Sequence, residues 1–156
     1  MHTVIEAAAS DRLAIERLYA DAIGRAAWLP PHARLRVEFT EVSNGEIVHV
    51  IKAGAGELAG FVSVYKPESF VHHLFVAPQY QRQGLASSLL SSLHTWLPLP
   101  WRLKCIRGNT DALSFYAVAG WKEVGVGENE DGQYLVLEYN QEPQTSIENM
   151  NTPRAT

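Results

Sequence analysis

The chain has a single cysteine, Cys105, among 156 residues. A lone thiol excludes an internal disulfide and any cysteine-rich metal centre, and a reducing, cytoplasmic setting is the expectation. No apolar run approaches the ~20 residues of a membrane span. The N-terminus lacks a signal peptide's basic-then-apolar layout, so no membrane partner is expected. Lys and Arg are nowhere concentrated, and 13 of them stand against 17 acidic residues, a net charge of −4. Nucleic-acid binding needs a basic face to neutralise phosphates and is not expected either. His2, His32, His49 and His94 show no ligand spacing, His72 and His73 are merely adjacent, and no metal is expected. Ser87 and Ser88 lack the Gly-x-Ser-x-Gly setting of a hydrolase nucleophile. What remains is a globular composition, 46% hydrophobic and 19% charged, long enough for one well-cored domain. Its mildly acidic balance suits an amine ligand.

Hydrophobic periodicity orders the chain. Residues 3–7 read as a short strand. Ser10-Asp11 open a helix whose stripe is Leu13, Ile15, Leu18, Tyr19, Ala22 and Ile23, with Asp11 and Glu16 on other faces. Pro30-Pro31 breaks it, and residues 29–40 suit a short helix followed by an extended piece. Residues 46–51 and 58–65 read as an antiparallel pair of strands and residues 71–76 as a third. A helix with Leu85, Leu89, Leu90 and Leu93 follows, stopped by Pro98 and Pro100. Then come a strand (101–106), a helix (110–119) and a final strand pair (121–126 and 133–139). In that strand run Cys105 reads as a small buried hydrophobe. This order predicts one α/β (α+β) domain over residues 1–139, a mixed sheet flanked by helices. Residues 140–156 are polar and read as a disordered tail.

The most informative stretch is residues 70–93. An apolar strand ends at Val76-Ala77-Pro78, and a helix begins just after Gln81-Arg82-Gln83-Gly84-Leu85-Ala86. Strand, loop and glycine-containing helix start leave free N–H groups in the first turn, where the helix dipole favours an anion. The loop resembles the acyl-CoA-binding signature of the GNAT superfamily of N-acyltransferases, [Gln/Arg]-x-x-Gly-x-[Gly/Ala], here Gln81, Gly84 and Ala86. A second segment, Asn109 to Trp121, resembles that family's Asn-x-x-Ala-x-x-Phe-Tyr-x-x-x-Gly-[Phe/Trp], matching at Asn109, Ala112, Phe115, Tyr116, Gly120 and Trp121. Asn109 also suits a helix N-cap.

The resemblance implies a GNAT-like fold and a set of roles. Leu74, Phe75 and Val76 on the strand and Gln81, Arg82, Gln83, Gly84, Leu85, Ala86 and Ser87 on the loop would bind acetyl-CoA, together with Asn109 and Tyr116. Tyr116 would also be the acid that protonates the leaving thiolate. Aligned on Val76, His72 falls where aralkylamine N-acetyltransferases carry a catalytic histidine, and it is the candidate general base, ahead of His73. Neighbouring strand residues face opposite sides, which would aim one histidine at substrate and the other into packing, unless a bulge intervenes. Trp28 and Trp121 are candidates for an aromatic acceptor pocket. The implied function is direct acetyl transfer from acetyl-CoA to a small-molecule or peptide amine, with a homodimer left open. The rival reading is a non-catalytic acyl-CoA-binding sensor or scaffold.

Overall fold

A computed structural model describes residues 3–35 and 38–143. Seven strands form one sheet: β1 (Val4–Glu6), β2 (Ile47–Lys52), β3 (Leu58–Tyr65), β4 (Phe70–Val76), β5 (Trp101–Ile106), β6 (Lys122–Asn129) and β7 (Gly132–Tyr139). Five helices flank it: α1 (Arg12–Gly24), α2 (Pro31–Arg34), α3 (Phe39–Val42), α4 (Leu85–Ser92) and α5 (Thr110–Val118). The strand order is β1-β2-β3-β4-β5-β7-β6. Every neighbouring pair is antiparallel except β4 and β5. This is the expected single α/β unit with a mixed, mainly antiparallel sheet.

β3 is buried on both faces from Leu58 to Val64, which is why its sequence reads as an unbroken apolar run. The alternation of its side chains divides the core. Val62 and Val64 face Leu85, Leu89, Leu93 and Trp101, while Phe61 faces Ile15, Leu18, Tyr19 and Phe39 on the opposite side. Trp101 is sealed in the first core, its indole N–H donating to the Leu97 carbonyl at 3.0 Å.

Three local expectations are corrected. Leu13 is 69% exposed, because it lies about 200° around the helix from Ile15 and so falls outside the stripe that Ile15, Leu18, Tyr19 and Ala22 form. Asp11, expected on a face away from the apolar stripe, is buried: it accepts from the Ala8 backbone N–H at 2.8 Å and pairs with Lys52 on β2 at 2.8 Å. Residues 39 and 40, at the end of the piece expected as extended, instead begin α3, whose first turn is held by Glu16 accepting from the Phe39 and Thr40 N–H groups at 2.9 and 2.7 Å. Pro31 opens α2 at a first-turn position where its missing N–H costs nothing. Of the expected polar tail, residues 140–143 carry no regular structure and residues 144–156 lie outside the described residues.

β4 departs from a regular strand in two places. Its parallel partnership with β5 consists of one register pair, Phe70 with Arg102, supported by Arg102 N–H donating to the Ser69 carbonyl at 3.1 Å. Beyond it the strands part, while β5 stays paired to β7 along its whole length. In addition, the β3–β4 register passes from Ser63–His73 to Val64–Val71, so His72 is the extra residue of a bulge.

Candidate active site

The gap between β4 and β5 is continued by a recess on either side. One is a groove of about 760 Å³ bounded by Leu74, Val76, Tyr80, the 81–87 loop and the α5 residues Asp111, Ala112, Phe115 and Tyr116. The other is a cavity of about 530 Å³ bounded by α1, the 26–29 link, β4, the end of β5 and α5. The two share Leu74, Ala112 and Tyr116.

The groove is built by backbone conformation. Arg82 (φ 65°) and Gly84 (φ 77°) are both left-handed, and Gly84 is the residue that starts α4. Left-handed turns of this kind point successive N–H groups to one side, the geometry of an anion-binding nest. The first-turn N–H groups of α4 face the same loop. No atom stands near Gly84 where a side chain would go, so the conformation, not crowding, is what reserves this position for glycine. Gln81 turns back to donate from Nε2 to the Val76 carbonyl at 3.2 Å, tying the loop to β4. Of the residues expected to bind the donor, Leu74, Val76, Gln81, Arg82, Gly84, Leu85, Ala86, Ser87 and Tyr116 line this groove. Gln83 is not among its lining residues, and Phe75 and Asn109 line the cavity instead. Asn109 is the N-cap of α5, its Oδ1 accepting from Ala112 N–H at 3.2 Å.

Tyr116 is placed by α5 between the two recesses. Its ring packs edge-on against Trp121 at 5.5 Å and Phe115 at 5.2 Å. Burial pushes its phenol well above the ordinary range, so it holds its proton at neutral pH. Burial also pushes the nearby Cys105 thiol up to about 11, which suits the small buried hydrophobe expected of it. Trp121 is core and does not reach the cavity, whereas Trp28 lines it.

The cavity floor holds a group that spacing alone does not reveal. The bulge brings His72 and His73 to the same side, their rings 4.0 Å apart, where opposite faces were expected of regular strand neighbours. Facing the Nδ1 atoms of both rings is the Glu46 carboxylate, nearly enclosed, at the turn into β2. Ser63 Oγ donates to Glu46 Oε1, and Glu46 Oε2 is hydrogen-bonded to His72 Nδ1. His73 Nδ1 lies 3.7 Å from Oε1, an electrostatic contact too long for a hydrogen bond. Burial works to raise the Glu46 pKa, but His72, His73 and Ser63 outweigh it and hold the carboxyl down at about 2. Burial lowers the His73 pKa, so this ring tends to stay neutral. His72 is the exposed member, 41% accessible. With Nδ1 committed to Glu46, its Nε2 is the nitrogen left to exchange a proton. The three residues also bring metal-ligating atoms within 4.8 Å of one another, a grouping hidden in the sequence because Glu46 is remote from the histidines.

The sheet thus opens between two parallel central strands, with a recess to each side of one buried tyrosine. Residues 26–137 match the family model described as "Acetyltransferase (GNAT) domain", and the chain belongs to the GNAT acetyltransferase family. Among curated proteins no sequence matches it. Its fold is similar to that of the ribosomal-protein-S18-alanine N-acetyltransferase from Escherichia coli, at 21% identity and a TM-score of 0.71 over 94% of this chain and 97% of the other. A GNAT-family acetyltransferase from Bacillus cereus superposes with a TM-score of 0.69 at 21% identity, over 92% of this chain and 99% of that one. A spermidine N-acetyltransferase chimera of the Vibrio cholerae enzyme and hSSAT gives 0.64 at 17%, over 89% and 95%.

Proposed function

We propose that this protein transfers an acetyl group from acetyl-CoA to a primary amine, with both reactants held together in the cleft. The observation that carries this reading is the pair of recesses meeting at Tyr116 and Leu74. The donor-side groove suits acetyl-CoA on two counts. Its loop offers backbone N–H groups to a pyrophosphate, and the parted edge of β4 leaves main-chain groups of Leu74 to Val76 to meet an extended pantetheine arm. Bound there, acetyl-CoA supplies the activated thioester.

The residues then divide the work. His72 accepts the proton of the acceptor ammonium, and Glu46 holds the ring and balances its charge. The freed amine forms the new C–N bond as the C–S bond breaks. A backbone N–H of the Leu74–Val76 segment faces the developing oxyanion, Tyr116 donates its proton to the departing sulfur, and the second proton lost by the nitrogen as the amide forms restores the phenol. Holding the partners in one cleft supplies much of the acceleration. The acceptor cavity is what favours an enzyme over an acyl-CoA sensor, which needs only the groove. No helix among the described residues is long and apolar enough to cross a membrane, and the single cysteine suits work in the cytoplasm.

The test is free-thiol release from acetyl-CoA over a panel of amines, with the acetylated product identified by mass. Release that depends on the amine is expected. If acetyl-CoA binds by calorimetry and no amine is acetylated, the sensor reading takes over.

A further inference from the structure

We infer that the acceptor is a small primary amine with one charge and an apolar body, and that polyamines, aminoglycosides and peptide N-termini are poor acceptors. This deepens the acetyltransferase reading and rests on it. Three features of the cavity carry the inference. The walls supplied by α1, the link and β4 are apolar: Tyr19 and Ile23 from α1, Ala26, Trp28 and Leu29 from the link, and Phe75 from β4. Apolar walls favour a ligand that gives up apolar surface and penalise one that must strip water from several ammonium groups.

The second feature is where charge stands. At the floor, His72 and His73, backed by the buried Glu46 carboxylate, offer a place for one ammonium to arrive and lose its proton. A second ammonium would need a second carboxylate. Among the described residues lining the cavity that is Asp131, at the tip of the β6–β7 hairpin, and it already faces His32 Nε2 at 4.0 Å. The neighbouring lining residue Lys104, whose ammonium sits 5.0 Å over the Tyr134 ring, would repel a polycation.

The third is the roof. The link crosses to the turn after β5, so closely that a Cβ at Gly108 would stand 3.2 Å from Trp28 Cβ. Alongside it, α2 reaches the hairpin tip through His32 and Asp131. These two contacts narrow the cavity on one side, which leaves less room for a chain continuing from a peptide N-terminus than for a small amine.

The experiment measures kcat/KM at saturating acetyl-CoA for linear alkylamines from propyl to hexyl, 2-phenylethylamine, spermidine, kanamycin and a tripeptide with an apolar N-terminal residue. Along the alkyl series kcat/KM should rise about fourfold per methylene until the cavity is filled. Hexylamine and 2-phenylethylamine should exceed spermidine, kanamycin and the tripeptide by about fiftyfold or more, the product of roughly three such methylene steps. A flat alkyl series, or preference for spermidine, kanamycin or the tripeptide, overturns the inference and leaves the acetyltransferase reading standing. Acetylation of none of them, with acetyl-CoA still bound, overturns both. Ile23→Asp should cut kcat/KM for hexylamine by more than about tenfold while the KM for acetyl-CoA holds. If that variant fails to fold, Trp28→Ala, at a half-exposed site, should flatten the alkyl series. An unchanged series in a folded variant counts against the apolar wall.

Discussion

At the scale of single residues, the proposed chemistry concentrates on Tyr116, His72 and Glu46. Tyr116→Phe keeps the ring that packs on Trp121 and removes only the proton donor. It should lower kcat by roughly ten- to a hundredfold with little change in acetyl-CoA affinity, measured by steady-state kinetics beside calorimetry. His72→Gln should cost about a hundredfold in kcat/KM. Glu46→Gln should cost less, since it acts through His72. The decisive measurement is the double variant: if Glu46 works through the histidine, it is no slower than His72→Gln alone, and additive losses would separate the two roles. Tyr116 could be picked out from sequence because it sits two helical turns from its own cap, within one local pattern. Glu46 could not, because its partnership depends on the β2–β3 register, which brings Ser63 near it, and on the bulge that brings both histidines to one side.

Whole elements were legible where one periodicity ruled and obscure where two elements negotiate. β3 and β5 fall at their expected residues because burial on one or both faces writes itself into the side-chain pattern. Residues 39–42 have no such pattern, and their helical turn is organised by Glu16 from another helix. The 81–87 loop belongs to the legible kind, since the left-handed residue that starts α4 is a glycine, Gly84. Replacing Gly84 by valine places a β-branched residue at φ 77°. It should weaken acetyl-CoA binding by about tenfold or more, an energy on the order of 1–2 kcal/mol. Titration of CoA itself checks this without recourse to turnover, and undiminished affinity would remove the loop from the donor site.

For the molecule as a whole, the buried carboxylate sets an acid limit. Glu46 has its pKa depressed from about 4.5 to about 2 in the fold. Its stabilising contribution is therefore complete above about pH 4.5 and is lost as pH falls towards about 2. Asp11 and Glu16 are lowered as well and add to the same acid limb. Burial of His73 adds destabilisation below about pH 6.5, where the unfolded chain gains a proton that the folded ring resists. Denaturant unfolding across this range should show Glu46→Gln less sensitive to acid than the parent between about pH 4.5 and pH 2; parallel curves would deny the carboxylate this role. The single rung between Phe70 and Arg102 has a mechanical meaning too. It makes the sheet two rafts, β1–β4 and β5–β7, moored at one end. A ligand lying along the open edge would lash them together, so occupancy should register beyond the groove, as slowed amide exchange along both β4 and β5 and higher resistance to heat. At a hundred times its dissociation constant, such a ligand would add about 2.7 kcal/mol to the stability of the fold.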